Sequence, residues 1–309
     1  MSTSTQTPAV KKFNIADFLM SVIPLFIMLF LNTVATVPAI IICVMQNYKK
    51  ENFNFADTSQ ILASQEAQIA LTIGFVIYAV VCIIIFYFWY KKAFLKKQTV
   101  ISNKEIFTVK NIIIATVGAL GVSSIIYLGL YAASVLAPEV MENYSQLMES
   151  AGLGSNIFTT VIYACFLGPI AEELMFRAVT QGYLRRSGLN AVAVIFIQAI
   201  LFGIAHMNPV QSTYATVFGL SLGLLRHKYG NIRITCLAHI VFNVFGTFVQ
   251  SAIASLDMPG AANFAIYGTL AVIGIVAAVL IGKEPVKDID LYKTAGVTPA
   301  PVATVPVQA

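Results

Sequence analysis

The sequence predicts an all-helical protein that crosses a membrane about eight times. Of its 309 residues, 58% are hydrophobic and only 11% are charged, whereas a soluble globular domain carries about 25% charged residues. The apolar residues form long blocks, and a helix needs about 20 of them to cross a bilayer. The predicted spans are 18–45, 68–90, 111–137, 156–181, 189–207, 209–226, 232–256 and 261–281.

The positions of the basic residues predict that both termini are cytoplasmic. If the spans alternate from a cytoplasmic N-terminus, sixteen of the 19 Lys and Arg residues fall on that side and only Lys49 and Lys50 on the other. Arg177, the remaining basic residue, lies within the fourth span. Because basic loops stay in the cytoplasm, we interpret the net charge of +5 as topology, and we expect no nucleic-acid partner.

The polarity of the segments predicts how the chain is organised. Spans one to three are flanking helices, and ionisable side chains within the membrane are concentrated in spans four, five and seven. The predicted parts are a disordered lead at 1–17, three flanking spans at 18–137, an acidic extracytoplasmic loop at 138–155, a polar-cored part at 156–256, the last span at 257–281 and a disordered cytoplasmic tail at 282–309.

Two glutamates and an arginine stand in the fourth span, in the stretch GPIAEELMFR. A charged residue at the centre of a membrane helix costs roughly 2.5–3.5 kcal/mol. Glu173 and Arg177 are four residues apart with the acid first, which favours a helical ion pair that supports the fold. Glu172 lies about 100° around the helix and has no such local partner. Two interpretations stay open for it: a general base, or a protonated acid hydrogen-bonded to another helix.

Further polar side chains lie in spans five and seven. FGIAHMNP ends the fifth span with His206, and LAHIVFN places His239 and Asn243 on one helix face of the seventh. Because polar side chains in a membrane bundle face its interior, we expect them to meet Glu172. Together they supply a base, a second proton carrier and oxyanion donors, the groups that water-mediated amide hydrolysis requires. The third histidine, His227, is expected in a solvated basic loop.

The depths of these groups predict an unusual fifth span. At 1.5 Å per residue from the predicted cytoplasmic loops, Glu172 lies roughly 18 Å deep, His206 roughly 26 Å and His239 roughly 11 Å. Straight, upright helices would keep them apart. We therefore expect the fifth span to begin outside the membrane or to tilt strongly.

Other chemistries stay open for the same side chains. Glu172, His206 and His239 leave a fourth position free, as in catalytic zinc sites, although the sequence has no HExxH motif. A divalent metal such as zinc is thus the alternative to a metal-free mechanism. Buried glutamate and histidine also suit the relay of a proton-coupled transporter. The third interpretation is a non-catalytic membrane scaffold or immunity protein.

Together, the three segments resemble the intramembrane CAAX protease and bacteriocin-processing family. That family is marked by EExxxR, FxxxH and HxxxN motifs on successive membrane helices. The resemblance covers about residues 155–256. In this sequence the motifs are Glu172-Glu173-Leu-Met-Phe-Arg177, Phe202-Gly-Ile-Ala-His206 and His239-Ile-Val-Phe-Asn243.

The resemblance implies an all-helical membrane endopeptidase, with these residues in defined roles. The positions that match the family's motifs imply that Glu172 and His206 activate water and that His239 and Asn243 stabilise the oxyanion. Glu173 and Arg177 would then support the site. The implied substrate is a membrane-associated peptide or protein. The chain resembles the bacterial branch, which is linked to peptide maturation and bacteriocin self-immunity. We therefore expect a bacterial plasma membrane and a substrate without a prenyl group.

Overall fold

The computed structural model describes residues 12–48, 64–95, 101–150 and 159–287, and this part of the chain contains helices and no strand. Most of the predicted disordered lead and tail, and residues 151–155 of the predicted loop, lie outside the described residues. The helices are α1 (Ile15–Tyr48), α2 (Gln65–Ala93), α3 (Asn103–Ile106), α4 (Val109–Leu136), α5 (Pro138–Ser150), α6 (159–186), α7 (Ala191–Ile204), α8 (Pro209–Tyr229), α9 (Ile232–Ala254) and α10 (Gly260–Lys283).

Each of the eight predicted spans corresponds to one helix in this structure. Among the described residues, α1, α2, α4, α9 and α10 are long and apolar enough to cross a membrane. Helix α6 carries several charged residues, α8 is more polar, and α7 has only 14 residues. The all-helical polytopic class is therefore confirmed, whereas the count of eight spans and the orientation of the termini stay predictions.

Asparagine residues cap the starts of α7, α8 and α9, each directly after a short turn. The side chains of Asn190, Asn208 and Asn231 each accept a hydrogen bond from a backbone N–H at the start of the following helix, the usual function of an N-cap. Gly230 ends α8 with a φ of 66°, a conformation that favours glycine. Because these turns are so short, consecutive helices lie beside one another around the site.

Helix α6 is the central element. Every residue from Glu173 to Arg185 is buried, and α1, α2, α7 and α9 pack around this helix. Polar side chains fasten it to its neighbours: the Trp89 indole donates to the Tyr183 hydroxyl at 3.0 Å, and the Gln181 amide donates to a carbonyl of α8 at 3.2 Å. The charged motif is thus held in the middle of the bundle.

Helices α4 and α10 approach each other closely through a pair of glycines. A Cβ atom on Gly121 would lie 2.1 Å from the Cα atom of Gly274, so neither helix could approach so closely with a larger residue. The outer faces of the bundle expose large apolar side chains, such as Phe26 and Val276. This inside-out polarity suits lipid as the solvent, and the chain is an integral membrane protein.

Candidate active site

A cavity of about 480 Å³ lies among α1, α2, α6, α8, α9 and the turn after α7. Four polar residues of the predicted site line it: Glu172, His206, His239 and Asn243. Much of the rest of the wall is apolar or aromatic. The structure therefore brings to one place the groups that the sequence distributes over more than 70 residues.

The predicted ion pair between Glu173 and Arg177 is present and completely buried. Nη1 of Arg177 lies 3.0 Å from Oε1 of Glu173, and both side chains have no exposed surface. The guanidinium carbon also lies 4.3 Å from the centroid of the Phe202 ring, a cation–π contact. Neither charged residue lines the cavity, so the pair forms a support behind it.

His239 joins the two glutamates. Its Nδ1 atom lies 2.9 Å from Oε1 of Glu173, and its Nε2 atom lies 3.5 Å from Oε2 of Glu172. The Glu173 carboxylate, already paired with Arg177, accepts the hydrogen bond, so Nδ1 carries the proton. The expectation that Glu172 has no partner within its own helix holds, but His239 of α9 supplies one across the bundle. Of the two acids, Glu172 alone lines the cavity.

His206 lies just beyond the end of a helix that is shorter than the predicted fifth span. Helix α7 is about 21 Å long and ends at Ile204, so His206 lies in the following turn rather than in a membrane helix. Met207 has a left-handed φ of 55°, which stops the helix there. Nδ1 of His206 lies 2.9 Å from the Phe202 carbonyl, which can only accept, so Nδ1 is the donor. The tilt of α7 in the membrane stays a prediction.

Asn243 binds a carbonyl that a proline has left without a partner. Residues Thr159–Leu167 form a π-helix, in which each carbonyl accepts from the residue five positions ahead. For Ala164 that residue is Pro169, which has no N–H. The Asn243 side chain donates to the Ala164 carbonyl at 2.6 Å instead. One of its two amide hydrogens is thus used, and the other is left for the cavity.

Several cavity residues were missed by the sequence analysis because no motif contains them. Asn32 of α1, Phe75 of α2, Tyr163 of α6 and Tyr214 of α8 all line the cavity. Phe75 and Tyr163 stack with their ring centroids 4.9 Å apart. Asn32 could have been noticed as an amide in the middle of an apolar span. The aromatic residues carried no such indication, since aromatic side chains are common throughout these helices.

The prediction of a solvated His227 is wrong. The side chain is partly buried at the end of α8 and contacts the buried Arg185. Burial, and then the charge of Arg185, lower the pKa of His227 to about 4. The end of α8 contacts the end of α6 at this pair, which takes part of the imidazole out of water.

Comparison with known proteins finds similarity over the part of the chain that contains the site. Residues 154–245 match the family described as type II CAAX prenyl endopeptidase Rce1-like. The chain is also 28% identical over 90 residues to a Bacillus subtilis (strain 168) protein named Putative membrane peptidase YdiL. That match covers 29% of this chain and 36% of the relative, so it spans about a third of the relative's length. No solved structure matches the chain.

The structure is that of a helical membrane protein, and the residues around its candidate site are similar to those of known membrane peptidases. All three motifs lie within the matched residues 154–245. The family resemblance that the motifs indicated is therefore supported over this part of the chain.

Proposed function

We propose that this protein is an intramembrane endopeptidase that hydrolyses a peptide bond in a membrane-associated peptide or protein. One observation carries the proposal: a carboxylate, two imidazoles and an amide from separate elements converge on one largely apolar cavity. Ionisable groups are expensive within a membrane and mark function by default. Their convergence supplies both proton transfer and charge stabilisation for hydrolysis.

Glu172 is proposed as the general base. Its side chain keeps 20% of its surface exposed, whereas Glu173 has none, so water reaches Glu172 alone. Glu172 takes a proton from the water as the water oxygen bonds to the substrate carbonyl carbon. That proton then goes to the leaving amine as the C–N bond breaks. His206, whose Nδ1 is held by the Phe202 carbonyl, has Nε2 available to orient the water.

His239 and Asn243 are proposed to stabilise the oxyanion of the tetrahedral intermediate. Asn243 has a second amide hydrogen, and a His239 ring protonated on both nitrogens offers Nε2–H. Loss of one oxyanion donor typically lowers kcat by about 10²–10³. Glu173 and Arg177 are positioning residues that hold the His239 ring through Nδ1.

A catalytic metal fits the observed arrangement poorly. Within the described ranges, no group of three His, Cys, Asp or Glu side chains converges as metal ligands. His239 and Glu172 lie near each other, but His206 does not complete a group of three ligands with them. We therefore derive no step through a metal. Activity of the purified protein is expected to survive incubation with EDTA or 1,10-phenanthroline, and its loss, with recovery on added zinc, would contradict this view.

The proposal is tested by comparing the membrane and secreted peptides of cells that carry wild-type protein or Glu172→Gln. Glu66→Gln is the matched control, because Glu66 is an exposed acid at the start of α2. We expect new peptide termini, found by mass spectrometry, with wild type and with the control but not with Glu172→Gln. Identical peptides in all three strains, at equal protein levels, would instead favour a scaffold or a transporter.

A further inference from the structure

A second cavity, also of about 480 Å³, lies beside the candidate active site between α4, α5 and α8. We call it the apolar groove. Among its lining residues only Thr213 and Tyr214 have polar side chains. Its volume falls within the roughly 300–1,000 Å³ of typical ligand sites. Residues that define it are Ile126, Gly129, Ala133, Val140, Met141 and Val217.

The groove adjoins the catalytic cavity at a pair of tyrosines. Tyr214 lines both cavities, and its hydroxyl lies 2.9 Å from that of Tyr144 on α5. The two rings meet edge to face. This pair forms the partition between the apolar groove and the cavity that contains Glu172.

Helix α5 runs along both cavities. Met141 lines the apolar groove, and Met148 lines the catalytic cavity. Seven residues of helix separate them by about 10 Å, which is the length of about three residues of extended peptide. The spacing of the two cavities therefore matches that of side chains about three residues apart on an extended chain.

We propose that the apolar groove is a substrate subsite that binds a large apolar side chain about three residues from the cleaved bond. The inference deepens the proposed peptidase function and rests on it for the identity of the occupant. An apolar side chain gains about 1.5–3 kcal/mol when it leaves water, and the groove offers it a nearly unbroken apolar wall. Helices α4 and α5 lie outside the matched residues 154–245 and α8 lies within them, so two of the three walls of the groove come from outside the matched part of the chain.

Gly129 provides a way to fill the groove without disturbing the fold. A Cβ atom there would meet no atom within 4 Å, so Gly129→Phe places a ring in open space. Gly268 of α10 is the matched control, because its Cβ atom would also meet nothing and it lines neither cavity. Both substitutions replace a glycine in a membrane helix by the same residue.

Photocrosslinking in vesicles tests the proposal without requiring cleavage. The probe is a synthetic membrane-spanning leucine–alanine peptide with one diazirine-bearing leucine, presented to the Glu172→Gln protein. Mass spectrometry should find the label on groove residues such as Met141 and Val217. Adding Gly129→Phe should lower that label about tenfold, equivalent to about 1.4 kcal/mol, and adding Gly268→Phe should not.

A parallel experiment uses phosphatidylcholine with a diazirine in its acyl chain. If only the lipid labels the groove, or if the peptide label is unchanged by Gly129→Phe, the proposal is overturned. Labelling by the peptide as expected, together with a wild-type protein that cuts no peptide, would reject the peptidase function while supporting the groove as a peptide-binding site. The two proposals therefore fail in different ways.

Discussion

Replacing Arg177 by methionine should strongly destabilise the protein, because it leaves a buried charge without its partner. Glu173 has no exposed surface, and its Oε1 atom lies 3.0 Å from the Arg177 guanidinium. Breaking a buried ion pair from one side costs about 3–5 kcal/mol. The lost cation–π contact with Phe202 adds about 0.5–2 kcal/mol. We therefore expect a loss of at least about 3 kcal/mol, a large share of the roughly 5–15 kcal/mol that stabilises a domain.

The double variant Glu173→Gln/Arg177→Met separates the cost of an orphaned charge from the loss of packing. The glutamine is neutral and its carbonyl can still accept from Nδ1 of His239, so most of the lost stability should return. Free energies of unfolding are measured by titrating the purified protein in mixed micelles with SDS and following its helical circular dichroism. Arg233→Met, at an exposed residue, is the control and should lie within about 0.5 kcal/mol of wild type.

Two results would refute this reasoning. A loss below about 1 kcal/mol for Arg177→Met would mean that the pair is solvated or that Glu173 is neutral. A double variant as unstable as the single variant would mean that packing, not charge, dominates.

Three further predictions concern other parts of the structure. In peptide-cleavage assays, Asn243→Ala should lower kcat by about 10²–10³ with KM nearly unchanged. A rise in KM alone would show that Asn243 does not stabilise the oxyanion. The pKa of His227 is lowered from 6.5 to about 4, so between these values the unfolded chain binds the extra proton and stability falls as the pH drops. Unfolding measured from pH 7 to pH 4 should show this loss, and His227→Gln should reduce it; an equal loss in both proteins would contradict the assignment. Gly121→Ala places a methyl group 2.1 Å from the Cα atom of Gly274, whereas the Cβ atom of Gly118→Ala meets only a side chain at 3.7 Å. Gly121→Ala should therefore lower the stability of the protein several times more than Gly118→Ala. Equal thermal stability of the two variants would show that α4 and α10 separate freely.

Local spacing was sufficient to predict some parts of the site. The i,i+4 relation of Glu173 and Arg177 predicted an ion pair that the structure contains. The blocks of apolar residues located all eight helices, since a membrane helix must satisfy its backbone hydrogen bonds internally and needs a fixed length. Ionisable side chains in such blocks also pointed to Glu172, His206 and His239, which line the cavity together with residues that the sequence analysis missed.

Contacts between helices could not be predicted in the same way. The bridge from His239 to both glutamates depends on the rotation of α9 against α6. Likewise, the contact between Asn243 and Ala164 depends on a π-helix in which Pro169 cannot donate a backbone hydrogen bond to the Ala164 carbonyl. Neither follows from residue spacing, because register and rotation are set by packing of the whole bundle.

The sequence by itself determined that this protein is a helical membrane protein with ionisable side chains inside its apolar segments, because hydropathy and i,i+4 spacing act within one segment. Only the tertiary structure decided that Glu172 faces the cavity while Glu173 is sealed behind it, and that an apolar groove adjoins the site. These features depend on which faces of separate helices meet, and that choice is made by close contacts such as Gly121 against Gly274. Distant parts of the chain must pack before such contacts exist.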